Sequence, residues 1–234
     1  MRRLSRTRSS ELADEGLHGF VLKKDSPTCG VFRVRIYTDK GVERNGRGLF
    51  ATALIQRMPH LPVEEEGRLN DARIRENFVE RIFAYRRLKG LFRPRWTLGD
   101  VVAFHTREKL LLRAHDERGY RELGKLVADA KNIPRAAFAD DYADRFMEIM
   151  KRPATVAKHV NVLQHMLAFL RWADDDVGRA EMHEAIGDYR AGLVPLVVPI
   201  TLIQHLARRH DQQLLLESSY LAPHPKELML RNHV

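Results

Sequence analysis

Only one cysteine, Cys29, occurs in this chain of 234 residues, so no intrachain disulfide can hold the fold. Long hydrophobic runs are lacking too. The longest, Leu193 to Ile203, is interrupted by Pro195 and Pro199 and is too short and too broken to cross a bilayer. Met1-Arg2-Arg3 is not followed by the apolar stretch of a signal peptide. We therefore expect a cytoplasmic protein with no membrane partner. Internal repeats and low-complexity segments are absent as well. Apolar content of 44% beside 30% charged residues is the profile of a folded, water-soluble chain, long enough for one large domain or two small ones.

Acidic residues are scarce where basic ones gather. The formal net charge is +9; residues 1–60 hold 12 Lys/Arg against 6 Asp/Glu, and residues 81–113 hold 9 against 2. Such segregation favours a polyanionic partner, RNA being the commonest. A solvated basic surface with no specific partner is the alternative.

The pattern of apolar residues divides the chain. In the front part, Leu4 to Glu15 reads as a helix, Gly19 to Leu22 as a short buried strand and Lys23 to Gly30 as a loop. Val31 to Tyr37 reads as extended and Asp39-Lys40-Gly41 as a polar turn. A helix follows from Gly48 to Met58, stopped by Pro59, and Leu61 to Glu65 is a last candidate strand. Two or three short strands make a poor sheet by themselves. From Asn70 the pattern becomes helix after helix. Asn70 is a candidate cap for a helix with Ile74, Phe78, Ile82 and Tyr85 on one face. Thr97 and Asp100 make a capping-box-like start for a helix to about Ala114. Asp116 opens the next, and Pro134 sits ahead of Phe138, Tyr142, Phe146 and Ile149. Pro153 heads a helix expected to run through Trp172. Two more helices fall within 176–191 and 199–209, and a short one begins at Pro225. The expected fold class is mixed: an α/β remnant over 1–62, then an all-α multi-helix domain over 63–234.

Several residues carry candidate chemistry. Ser26-Pro27-Thr28-Cys29-Gly30 lies in a turn after a buried strand. A thiolate there would meet backbone N–H groups and the cations Lys23 and Lys24, which suits it to metal ligation or nucleophilic attack; a bystander cysteine is the plainer alternative. The basic residues of 81–113 fall on the end of one helix (Arg81, Arg86, Arg87, Lys89), a linker (Arg93, Arg95) and a second helix (Arg107, Lys109, Arg113). Thr106, Lys109 and Arg113 share one helix face at i, i+3, i+7. With Arg107 they are candidates to grip consecutive phosphates, or else form a solvent-facing stripe. Trp96 is a candidate base-stacking platform or a core tryptophan. Asn161, Gln164 and His165 stand on a helix that is otherwise apolar nearly all round, where hydrogen bonding between helices and ligand contact are the alternatives. His105, His159, His205, His224 and His233 show no zinc-like spacing backed by a carboxylate.

Two family resemblances add to this. The run Gly19-Phe-Val-Leu-Lys-Lys-Asp-Ser-Pro-Thr-Cys-Gly30 resembles the third cysteine loop of the TudS-type thiouracil desulfidases. The likeness continues through Gly46-Arg47-Gly48-Leu49-Phe50 to Pro62-Val63-Glu64-Glu65-Glu66-Gly67-Arg68-Leu69. In that family three cysteines hold a 4Fe-4S cluster whose open iron takes sulfur from a thiolated pyrimidine. The resemblance implies that Cys29 is the third ligand. It also places Thr28 where the family has a serine, a candidate catalytic proton donor or acceptor. The segments for the other two cysteines and an acidic catalytic residue are missing, because the sequence starts about two thirds of the way through that domain. This chain alone is therefore expected to hold no cluster, and whether it is an enzyme stays open.

The second resemblance is to the YbgA-like family. It rests on Phe104-His105-Thr106-Arg107-Glu108-Lys109-Leu110-Leu111-Leu112, with Glu108 where a histidine is common; on Asn161-Val162-Leu163-Gln164-His165; on Tyr189 to Leu196; and on Pro223 to His233, which includes Arg231 and Asn232. The fusion of the two domains resembles the bacterial RNA thiouracil desulfidases. That implies a helical domain that holds tRNA or another structured RNA, behind a front that removes sulfur from thiouridine. The alternative is a non-catalytic helical domain that binds RNA or a protein.

Overall fold

The computed structural model describes residues 1–39, 41–170 and 176–233. The chain forms two compact units, Met1–Arg87 and Leu88–Val234. Together they give the mixed class expected, small sheets at the front and helices behind.

The first unit contains α1 (Arg2–Asp14), β1 (Phe20–Leu22), β2 (Val34–Thr38), β3 (Gly41–Gly46), α2 (Leu49–Arg57), β4 (Val63–Glu65) and α3 (Ala72–Leu91), which runs past its end. β1 and β4 pair in parallel, Phe20 opposite Val63 and Leu22 opposite Glu65. β2 and β3 form an antiparallel hairpin. The apolar core joins Leu12, Leu22, Val31, Ala51, Leu54, Leu61 and Val63. α1 packs on α2; its buried residues are Ser5, Ser9 and Leu12, and Ser9 Oγ donates to the Ser5 carbonyl at 2.7 Å, satisfying a buried hydroxyl.

Three expectations for this unit are corrected. The extended stretch begins at Val34 rather than Val31, because Arg33 takes a left-handed φ of 56° and breaks the strand. β3 was not foreseen: Gly41-Val-Glu-Arg-Asn-Gly46 is exposed at every position but Gly46, so it lacks the apolar alternation that marks a half-buried strand. The helix after residue 70 is capped by Asp71, whose Oδ1 accepts from the N–H groups of Arg73 and Ile74 at 2.9 and 3.0 Å; Asn70 ends a 3-10 turn.

The second unit holds α4 (Leu98–His115), α5 (Glu117–Ala128), α6 (Arg135–Met150), α7 (Val156–Leu167), α8 (Asp176–Ala191), α9 (Val197–Arg209) and the short α10 (Gln213–Leu216), then 3-10 turns at Lys226–Leu228 and Leu230–Asn232. α4 is central and packs against α5, α6 and α7; α7 continues the stack to α8 and α9. The expected capping box is present: Thr97 N donates to Asp100 Oδ2 at 2.7 Å and Asp100 N to Thr97 Oγ1 at 3.1 Å. α8 ends at Gly192, whose φ of 76° lets Leu193 N donate back to the Asp188 carbonyl at 2.9 Å. Trp96, Phe138, Tyr142, Phe146 and Phe104 make a ladder of ring contacts between α4 and α6.

The helix expected from Pro153 through Trp172 is shorter. Thr155 caps it, and Ala168, Phe169 and Leu170 donate to carbonyls three residues back, the tightening that closes a helix; Trp172 lies outside the described residues. Pro134 precedes α6 as its N-cap instead of entering the first turn. Among the described residues no helix is long and apolar enough to cross a membrane.

Candidate functional site

The cysteine loop is held by hydrogen bonds from every side. Ser26 Oγ accepts from the N–H groups of Thr28 and Cys29 at 3.2 and 3.1 Å, and the Ser26 carbonyl accepts from Gly30 N at 2.8 Å. The first turn of α2 then donates into the loop: Leu49 N to the Pro27 carbonyl at 3.2 Å, Phe50 N to the Thr28 carbonyl at 2.9 Å. These are the orphan donors of a helix N-terminus. A Cβ on Gly48 would collide with the Thr28 carbonyl, so this approach requires glycine. Thr28 and Cys29 are both half-buried, and Cys29 packs on the apolar core.

Two of three consecutive glutamates, Glu65 and Glu66, staple this loop at both ends. Glu65, buried, accepts through Oε1 from Val31 N at 2.8 Å and Phe32 N at 3.0 Å. Glu66 accepts from Lys24 N at 2.8 Å and pairs with Lys23 Nζ at 3.0 Å; the Lys23 hydrogen bond holds its carboxyl below the usual range. Glu64 accepts from Arg68 Nε at 2.8 Å, and Arg68 covers the Phe32 ring at 4.6 Å. Lys23, expected to face a thiolate, is thus committed to Glu66. The roles of Ser26 and of these glutamates were missed. The run of acids after a strand, matched to Lys23-Lys24, was the available signal.

A cluster of the kind expected needs several cysteine thiolates, and this chain supplies Cys29 alone. The residues present do not fit the group.

The predicted RNA-binding residues separate into two kinds. Arg86 is exposed and Arg87 half-buried along α3; Arg93, Arg95 and Arg107 are exposed in the second unit. Trp96 is a packing residue: Phe92 and Phe138 contact its ring, Arg135 lies over it at 4.3 Å, and the Arg135 guanidinium donates to the Trp96 carbonyl. A base could not stack on that face without displacing Arg135. Lys109 and Arg113 are half-buried and so do not form an open stripe. Arg113 Nε donates to Glu117 Oε2 at 2.6 Å, while Glu117 Oε1 accepts from Arg121 at 3.1 Å. Burial would raise the Glu117 carboxyl, but Arg113 and Arg121 outweigh it and hold it low.

Where α4 meets α7, Lys109 and His165 come together. Lys109 Nζ lies 5.9 Å from the Phe169 ring centroid, and the His165 ring meets that phenylalanine edge-on at 5.2 Å. Burial, then the charges of Arg113 and Lys109, press the His165 pKa down against an opposing pull from Glu117. His165 Nε2 is buried and has no hydrogen-bond partner among the described residues. Asn161 and Gln164 are exposed on the same helix, not buried between helices as the apolar pattern suggested.

His105 and Glu108 of the first quoted block and Arg231 of the last enter buried polar contacts. His105 Nδ1 lies 3.2 Å from Tyr142 Oη and its ring stacks on Tyr120 at 5.3 Å. Burial and the Lys109 charge bring its pKa to about 4, so it is neutral at physiological pH. Burial, with Glu108 and Tyr120 nearby, raises the Tyr142 phenol well above its ordinary value. Fully buried Glu108 accepts from Ser219 Oγ at 2.6 Å. His159 Nδ1 lies 2.9 Å from Tyr220 Oη, and Arg231 donates to the Tyr220 carbonyl at 2.6 Å. Asn232 sits half-buried in the turn beside it. Glu108, Ser219 and Tyr220 were not singled out as partners, because their contacts join segments far apart in sequence.

Residues 1–66 match the family described as 2-thiouracil desulfurase, and residues 109–225 match the protein family of unknown function DUF1722. The uncharacterized protein YbgA of Escherichia coli (strain K12) is 30% identical over 165 residues, which cover 70% of this chain and 98% of that protein. No solved structure matches the chain.

Proposed function

The chain belongs to the YbgA-like DUF1722 family, carried behind a 2-thiouracil desulfurase-like front, and from that premise we propose that it is part of an RNA thiouracil desulfidase-like protein. The helical unit grips tRNA or another structured RNA, and the front presents Cys29 and Thr28 in a rigid loop. The observation that carries this reading is the gathering of Lys109, Arg113 and His165 on α4 and α7, with Arg93, Arg95 and Arg107 exposed in the same unit. Such cations neutralise phosphates whatever the sequence of the bases.

With one thiolate, the chain by itself is an RNA-holding part and not a complete catalyst. Anaerobic iron–sulfur reconstitution should leave little brown absorbance, and no sulfide should be released from 4-thiouracil or thiolated tRNA. A stable, stoichiometric cluster would overturn that division of labour. RNA holding itself is tested by titrating the chain into fluorescently labelled tRNA, where saturable binding is expected and none would refute it.

A second reading, a helical protein-interaction unit, draws on Val102, Leu193, Leu214 and Met229, which leave apolar surface exposed. It gains ground if tRNA is not bound.

A further inference from the structure

We propose that the face where α4 meets α7 holds a phosphodiester-binding site for an RNA backbone, formed by Lys109 and Arg113 of α4 and His165 of α7. It rests on the RNA-binding reading above and says where, and through which groups, the contact is made.

Among the described residues the site is short of negative charge. Lys109 makes no ion pair among the described residues; its one recorded contact is with the Phe169 ring. Arg113 engages Glu117 through Nε only, which leaves its two terminal nitrogens without a hydrogen bond among the described residues. Glu117 is itself divided between Arg113 and Arg121. Two arginines therefore share one carboxylate, and Lys109 has none among the described residues. His165 adds a ring nitrogen that is buried and has no hydrogen-bond partner among the described residues, a state that carries a free-energy cost. A bound anion offsets this excess of positive charge.

The geometry suits a phosphodiester. Phe169 lies beside both Lys109 and His165, so the lysine charge of α4 and the imidazole of α7 border the same ring. Arg113 brings paired donors, the arrangement that fits phosphate oxygens. Asn161, one turn before His165 on α7, and Gln164 beside it are exposed and offer neutral donors at the rim. An anion seated here also cancels the repulsion that Lys109 and Arg113 exert on a protonated His165. Among the described residues, the charged groups acting on this imidazole are Lys109 and Arg113 from α4, which disfavour its proton, and Glu117 from α5, which favours it. Phosphate binding must then draw a proton onto His165, and its titration midpoint must rise.

The test uses the full chain, labelled tRNA and two variants, Lys109→Gln and His165→Gln, each checked for an unchanged melting curve. Each should weaken binding by about three- to tenfold, and Lys109→Gln should flatten the log–log salt slope by about one unit. In the parent, a saturating hexauridylate should raise the His165 ring-proton midpoint seen by NMR by roughly one pH unit, while the same chain length of poly-glutamate should not. If the parent binds tRNA but both variants bind equally well with the same slope, the site is refuted and the RNA reading stands. If the parent binds no RNA, both fall. Equal shifts from poly-glutamate would assign the face to acidic protein and refute the phosphodiester.

Discussion

The front unit and the helical unit solve opposite problems. The front places a loop, Ser26 to Gly30, where backbone groups have no regular partners, so it spends side chains on them: Ser26 on Thr28 and Cys29, Glu65 on Val31 and Phe32, Glu66 on Lys24. The helical unit satisfies its backbone internally and builds its core from stacked aromatic rings. Its charged side chains are then free to face outward or to gather, as Lys109 and His165 do. Both units leave apolar residues exposed, Tyr37 at 75% in the front and Leu193 at 74% in the helical unit. A loop site is therefore only as firm as the few directed bonds that hold it, whereas a helix-borne site inherits the rigidity of the core beneath it.

The largest effect should come from that core. Phe146→Ala removes a fully buried ring that contacts Phe104 and Tyr142 and should cost about 4 kcal/mol in denaturant unfolding; a loss below about 1 kcal/mol would mean the ladder is not the anchor described.

Glu65→Ala is the matching test in the front. It leaves the Val31 and Phe32 N–H groups without their carboxylate, a loss of about 3 kcal/mol. The sharper readout is local: Cys29 should react with maleimide several-fold faster as the loop loosens. An unchanged rate would show that the glutamates do not hold the loop.

Acid should act on the helical unit. The His105 pKa in the fold, about 4, lies below its ordinary 6.5, so between those values the unfolded chain binds more protons than the folded one. Stability is then complete above pH 6.5 and falls as the pH drops, by about 2 kcal/mol between pH 7 and pH 5 from this group. His105→Phe should remove most of that dependence in melting curves recorded across the range. His165 shifts in the same direction, so some slope should persist in the variant.

What the residue pattern disclosed follows the same divide. The capping box at Thr97 and Asp100 was legible because both partners lie within one turn. So was the core face of α6, where the spacing of Phe138, Tyr142, Phe146 and Ile149 records burial directly. Strand β3 was not legible, since its polar residues carry no face preference. The staples from Glu65 and Glu66 were hidden because their partners at Lys23, Lys24, Val31 and Phe32 lie far back along the chain. The pairing of Arg113 with Glu117 was within reach, being an i, i+4 contact, and it replaces the expectation that Lys109 and Arg113 stand open to solvent. Removing Arg113 should therefore disturb the fold as well as any RNA contact, which is why Lys109 and His165 are the better probes. The meeting of those two depends on how α4 packs on α7, which no local periodicity encodes.

Whether the helical unit grips RNA through its phosphates is tested most directly by tRNA affinity measured across a salt series with the full chain. If about four phosphates are neutralised, log affinity should fall against log salt with a slope of roughly −3 to −4. A flat line, or no binding at low salt, would contradict the account.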